Sequence, residues 1–487
     1  MSTDALIIRI LAIMQKKIEF DDVDFIGLDT QYPNAKQQLQ TRIHLDGAAS
    51  PLAAKASLKM ITALLPHYSN THSHVHNSAQ ISTKALAWAH DTVLEFVGAN
   101  SDHYAAIFTG TGTTAAVNRV ARGLALARPE RKTVLVSAME HHANDLPHRQ
   151  FNNDVIYVPL CGHESGDTSQ LGTIDLTQLK KLCLQHSNSI NYIAVSSVSN
   201  VTGIRNPIKE ITTLAHQYGI FVLVDAAQSV AHGPTELDDL DADFLVFSGH
   251  KIYTPMAPGV LLAKKSVLNN LNGQDLGGGS VSSVSYYDFE FVKDSTEKEE
   301  SGTPNIVGAI ALAAVLKELI HVGLQNIETK DQALMNYLKS ELTALKDITV
   351  YGDLSLSRTG ALAFNHKNID HGLLAAILND YYSIAVRNEC FCAHPYVSSL
   401  LKEELWQLDL SNVSEDQQEW FINRKRGMVR ASLSLYNSKQ DVDALTSALM
   451  EINRNLNDYK NNYRALNNGS YQHKTHSLDW RKALNID

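Results

Sequence analysis

Residues 224–253 read VDAAQSVAHGPTELDDLDADFLVFSGHKIY. An Asp and a Gln close one apolar run, and Ser-Gly-His-Lys closes the next. Lysine is among the side chains least often buried. One placed straight after Phe-Leu-Val-Phe is either a solvated strand-end charge or a working amine. The apolar runs themselves point to the fold. FVLVDA and FLVFSG are short and almost continuously apolar, as strands covered on both faces are. Working outward, AAIFT, TVLVSA, DVIYVPL, NYIAVSSV and VLLAK read the same way. AAVNRVARGLALAR, DLTQLKKLCLQH and IKEITTLAHQYG lie between them with helical periodicity. Strands alternating with helices predict an α/β domain with a largely parallel sheet.

Beyond the last of these strands, LGGGSVSSVSYYDFEFVKDSTEKEESGTPN reads as a long irregular segment, a kind usually functional or disordered. The helical stretch IVGAIALAAVLKELIHVG leads into a second α/β region. Four parts are expected: an N-terminal segment, residues 1–45, packing with the small domain; a large domain, 46–320; a small α/β domain, 321–455; and a polar, aromatic tail, 456–487, without clear period.

Composition narrows the function classes. The net charge is −10, with no long basic block, which argues against nucleic acid as the main partner. No run of about 18 apolar residues is present, so no membrane span is expected. The apolar N-terminal stretch lacks a basic leader and a small-residue cleavage site and reads as an amphipathic helix. Four cysteines in 487 residues are too few to staple the chain, which suits a reducing cytoplasm.

Two features carry chemistry. Thr109-Gly110-Thr111-Gly112-Thr113-Thr114-Ala115 follows a strand and opens a helix. It matches the dinucleotide fingerprint, but free N–H groups at a helix start with two threonine hydroxyls suit any phosphate. Glu140 is a poor candidate for the ribose-binding acid of that fingerprint. The second feature is the opening stretch with its neighbours. Asp225 and Lys251 end adjacent apolar runs, and His141 and Asn200 also follow strands, so these side chains converge at one rim of one sheet. An amine, a carboxylate and a phosphate site together suit pyridoxal phosphate, with Lys251 holding the cofactor and Asp225 pairing its ring nitrogen.

The run VDAAQS…DFLVFSGHK resembles the class V aminotransferase superfamily of pyridoxal-phosphate enzymes, and within it the SufS-like cysteine desulfurases. HLDGAAS from His44, MEHHAN from Met139, SNVTG from Ser199, GTPN from Gly302 and RASLSLYN from Arg430 extend the resemblance. It implies fold type I, with a mostly parallel seven-stranded sheet in a large domain and a smaller α/β domain. It implies cofactor contacts from Thr113, Thr114, His141, Asn200, Asp225, Gln228, Ser248, His250 and Lys251. It also implies a homodimer, in which Gly277–Gly279 and Thr303 complete the partner's cofactor site. Arg430 resembles the arginine that binds the substrate carboxylate, with Arg387 and Asn200 beside it.

The reaction turns on AVRNECFCAHPY from Ala385. In SufS-like desulfurases a loop of the form R-x-G-x-x-C-A-x-P carries the nucleophilic cysteine. Aligned on Arg387, this puts Cys392 in that role, with Lys251 and His141 as the other catalytic residues. L-Cysteine would give L-alanine and a persulfide on Cys392 for a protein acceptor. His141, His394 or the cationic surroundings would favour the thiolate. Glu389 replaces the loop's glycine. Cys390 reads as a spectator thiol or as a relay, and C-F-C also resembles the sulfurase domain of molybdenum-cofactor maturation. Residues 400–426 look like an insertion. The alternatives are another class V enzyme (aminotransferase, selenocysteine lyase, epimerase or kynureninase-like hydrolase), a nucleotide-binding dehydrogenase, or a non-catalytic scaffold. The THSHVH run from Thr71 lacks a completing ligand, and no metal is expected.

Overall fold

The computed structural model describes residues 23–486, apart from 72, 74, 153, 164–166, 272–274, 403–407, 409–413, 415–417, 419–421, 423–424 and 467–469. Seven strands build the large sheet: β1 (Tyr104–Thr109), β2 (Thr133–Ser137), β3 (Asp154–Val158), β4 (Ile190–Ser196), β5 (Phe221–Asp225), β6 (Phe244–Ser248) and β7 (Gly259–Lys264). Their order is β3-β2-β4-β5-β6-β7-β1. β2 to β6 pair in parallel, and β7 runs antiparallel to both its neighbours. The predicted mostly parallel seven-stranded sheet is therefore present.

Both faces of the sheet are covered. Helix α1 (Asn77–Phe96) lies on one face and α2 (Gly112–Ala127) on the other. Val117, Val120 and Leu124 of α2 pack on Ile107, Val134, Val246 and Leu261. Helices α3 (Leu176–His186) and α4 (Ile208–His216) share the first face with α5 (Ile306–Val322). α5 is apolar nearly all round and buried along its length, as a helix without a polar face must be.

Gly323, with φ +93°, then turns the chain into α6 (Leu324–Ala344). No single helix among the described residues is long and apolar enough to cross a membrane. The pair α5 and α6 meets that test only together and is bent by 78°.

The second body is a four-stranded antiparallel sheet of order β8-β9-β11-β10: β8 (Ile348–Val350), β9 (Ala361–His366), β10 (Arg387–Glu389) and β11 (Met428–Ser432). Its core joins Leu338 and Leu342 of α6 to α7 (His371–Tyr382) and α9 (Lys439–Arg454). Between β10 and β11 comes the short helix α8 (His394–Leu400). Most of the 400–426 stretch lies outside the described residues, as do residues 1–22 and two histidines of the THSHVH run. Of the N-terminal segment that is described, Val23 and Phe25 pack in the large core. Leu45 packs in the small one, and Ile43–His44 pairs with Ile384–Ala385.

Two segments read as irregular carry regular structure. Val281–Val284 and Phe289–Phe291 form a hairpin, and Ser295–Glu299 is a helix capped by Asp294. Only Phe289-Glu290-Phe291 alternates with period two, and most of the hairpin's apolar members face solvent, so the signal is weak. In the tail, Tyr463–Ala465 pairs with Tyr471–His473 and packs on α7 through Tyr381 Oη···His473 Nε2 at 3.0 Å. Strands of three residues are too short for periodicity to reveal.

Candidate active site

The parallel strands end at one rim. Ser196, Asp225 and Ser248 are the last residues of β4, β5 and β6, and Ser196 stands in register with Asp225. Ligands bind outside such carboxyl ends in open α/β sheets. A cavity of about 540 Å³ opens there. Thr113, Thr114, His141, Asn200, Asp225 and Gln228 line it. Ser248, His250 and Lys251 line it from the next strand end, and Arg387, Cys392 and Arg430 reach it from the small domain. Of the sequence-derived site residues, Gly277–Gly279 and Thr303 lie outside that lining, with Thr303 Oγ1 3.5 Å from Asn70.

The start of α2 shapes one end. Gly112 has φ +58°, and a Cβ there would stand 2.5 Å from Ser248 Oγ. Glycine is therefore required by both conformation and space. Ser248 Oγ accepts from Thr113 N at 2.7 Å and lies 2.8 Å from Thr113 Oγ1. At the floor, Gln228 donates to Ala48 O at 2.9 Å. Asp225 Oδ1 accepts from Ala227 N at 2.9 Å. Burial pushes the Asp225 carboxyl up, against the Ala227 amide and the Lys251 charge. Burial likewise pushes the Lys251 amine down, with Asp225 opposing and Arg430 adding to the effect. His141 is driven to about 3 by burial and by the Lys251 charge, so its ring is a neutral aromatic face.

A buried polar cluster fixes the segment that carries His141. Glu140 accepts from Ser196 N at 2.8 Å, from Asn144 Nδ2 at 2.7 Å and from the Ser137 and Ser196 hydroxyls. Burial pushes its carboxyl up to about 7 against those four donors. Glu140 is thus structural and cannot be a ribose ligand, since its oxygens are already used.

The small-domain side is built from β10 and β11. Arg387 and Arg430 stand directly opposite each other in the ladder. Like charges in that relation are destabilising unless an anion sits between them. Arg430 is 3% exposed, donates to Asn200 O at 2.9 Å and to Asp46 Oδ1 at 3.2 Å, and lies 4.9 Å over the Phe391 ring. Its Nε is buried without a partner among the described residues. A planar guanidinium fork suits a carboxylate. Asp46 and Phe391 were not singled out from sequence. Asp46 is 384 residues from Arg430, and no spacing rule reaches that far.

The two loop cysteines differ. Cys392 is exposed and lines the cavity. Cys390 is buried, its thiol directed at Arg426 O at 3.4 Å, and burial pushes it up to about 11. Cys390 is therefore held as an inert thiol.

The comparisons follow this geometry. The family described as Aminotransferase class-V matches residues 43–445. A probable cysteine desulfurase of Halalkalibacterium halodurans is 34% identical over 84% of this chain and 92% of its own length. A cysteine desulfurase of Escherichia coli is 32% identical over 85% and 94%. Among solved structures, the apo cysteine desulfurase of Thermococcus onnurineus superposes with TM-score 0.72 at 28% identity, covering 84% of this chain and 94% of that one. The cysteine desulfurase CsdA of Escherichia coli gives 0.70 at 28%, covering 85% and 95%. With a buried aspartate closing one strand, a lysine in the turn after its neighbour, and a match across most of its length, this chain belongs to the class V aminotransferase family.

Proposed function

We infer that this chain is a pyridoxal-phosphate-dependent cysteine desulfurase that converts L-cysteine to L-alanine and leaves a persulfide on Cys392. The observation that carries the reading is that Lys251, Asp225, Arg430 and Cys392, from two domains, line one cavity. The residues present fit the cofactor. Lys251 would hold it through its amine, Asp225 would meet its ring nitrogen, and His141 offers a neutral face. Thr113, Thr114, Ser248 and His250 surround the end where the Gly112 turn leaves room for a phosphate, with Gln228 at the floor. When bound, the cofactor supplies an electron sink for charge developing at the substrate α-carbon.

The protein's own groups do the rest. Arg430 and Arg387 would grip the substrate carboxylate, relieving their mutual repulsion. Burial favours the neutral amine of Lys251, the form that accepts the α-proton and returns one. Cys392 Sγ, as thiolate, bonds to the substrate sulfur while the carbon–sulfur bond breaks. The carbon keeps the electron pair, takes a proton and departs as L-alanine. An exposed Cys392 then suits transfer of the outer sulfur to a protein acceptor.

Two further elements of the reading follow. Thr303 and Gly277–Gly279 lie outside the cavity lining of their own chain, which supports a homodimer in which each copy serves the other's site. The described cysteines are all free, which suits a reducing cytoplasm. The test is a pair of variants. Lys251→Ala loses both the cofactor's absorption band and all turnover. Cys392→Ser keeps the band and forms alanine from L-cysteine at least about 100-fold more slowly. Unchanged alanine formation by Cys392→Ser rules out desulfuration through that thiol.

A further inference from the structure

His142 and His394 form a pair beside Cys392, outside the residues that line the cavity. Their rings stack at 4.8 Å and 9°. His142 Nε2 lies 3.1 Å from His394 Nδ1 and accepts from His394 N at 3.3 Å. His142 also donates its backbone N–H to Cys392 O at 2.7 Å. One residue of the large domain thus grips the cysteine loop at the carbonyl of the cysteine and two residues beyond it.

The loop needs a grip. Glu389, Phe391 and Cys392 have φ of +87°, +52° and +54°, a region that L residues with side chains enter at a cost. Asn200 Nδ2 on Phe391 O at 2.7 Å supplies a second hold from the large domain. Neither bond comes from the small domain that bears the loop.

We propose that His142 and His394 are positioning residues: a clamp that holds Cys392 in its left-handed, cavity-facing conformation and lets go when His142 gains a proton. The logic is in the hydrogen bonds. Nε2 of His142 serves as the acceptor for the backbone N–H of His394. A proton on Nε2 turns that acceptor into a donor and leaves the His394 backbone N–H without it. The other groups around His142 are Asp145, which is paired to Arg149 at 2.6 Å, and the neutral His141 ring at 6.3 Å. Burial and the neighbouring His394 push His142 below the ordinary histidine value. The clamp therefore stays closed at neutral pH and opens on the acid side.

The proposal rests on the desulfurase reading, so one of its two measurements needs no turnover. Amide hydrogen exchange across residues 389–396 of the full chain is expected to be faster in His142→Ala and His394→Ala than in the unmodified protein. It should be restored in His142→Gln, whose amide oxygen can accept where Nε2 does but cannot be protonated. With L-cysteine, His142→Ala is expected to lower kcat by about 10- to 100-fold, with KM and the cofactor band unchanged. His142→Gln should recover most of that rate and lose the acid limb that the unmodified enzyme shows below the ordinary histidine range. Equal exchange in the unmodified protein and both alanine variants overturns the clamp, as does an acid limb that His142→Gln leaves in place. An unmodified enzyme that forms no alanine overturns the desulfurase reading and the clamp's purpose with it, whatever the exchange shows.

Discussion

Glu389 occupies a backbone conformation, φ +87°, that suits glycine. The resemblance had marked this position as a departure, because glycine stands there in the loop pattern. The departure is in the side chain only, since the backbone keeps the glycine-like turn. Glu389→Gly is expected to stabilise the protein by about 1 kcal/mol, because strain at such a position outweighs glycine's extra unfolded-state entropy. Thermal unfolding checks this, and a lower melting temperature would show that the Glu389 side chain earns its place through contacts instead.

Residue by residue, the site was legible where chemistry sits at the end of an apolar run. Asp225 and Lys251 could be read this way because a polar group closing a buried strand has few structural reasons to be there. Arg430's partner Asp46 and the His142–His394 pair could not. Their members are 384 and 252 residues apart, and only the folded chain brings them together.

Strands of the large sheet were readable almost to the residue, because β-branched runs buried on both faces leave a strong pattern. The elements that were missed are those with weak burial. The hairpin Val281–Phe291 exposes Val284, Tyr286, Tyr287 and Phe289, with both tyrosines essentially fully open. Its register shifts between Val281 and Ser283, so even its alternation is broken. Exposed aromatics at a hairpin tip are the kind of group that a partner surface covers. In a homodimer this element would lie against the second copy. Replacing Tyr286 and Tyr287 together by Ser is expected to shift the protein from dimer to monomer in sedimentation velocity at micromolar concentration. A sedimentation pattern identical to that of the unmodified protein would place the hairpin outside the interface.

At the scale of the molecule, two cores meet at the cavity. The large domain supplies the amine, the carboxylate and the phosphate-ready turn, and the small domain supplies both arginines and the thiol. This division explains why the family was easier to read than the reaction. The residues proposed to hold the cofactor within one chain fall within residues 110–251, where strand and helix alternate regularly. The cysteine proposed to react lies on a loop whose meaning depends on its meeting the other domain. His142 and Asn200 make that meeting through two backbone carbonyls, of Cys392 and Phe391.

The central claim is that sulfur from the substrate arrives on Cys392. Mass spectrometry of the cofactor-loaded enzyme, after L-cysteine is added without an acceptor, tests it most directly. The expected result is one additional sulfur atom on the peptide containing Cys392, absent from Cys392→Ser and from Cys390 in the unmodified protein. Alanine formed in stoichiometric amount with no sulfur on Cys392, or with the sulfur on Cys390, would contradict it.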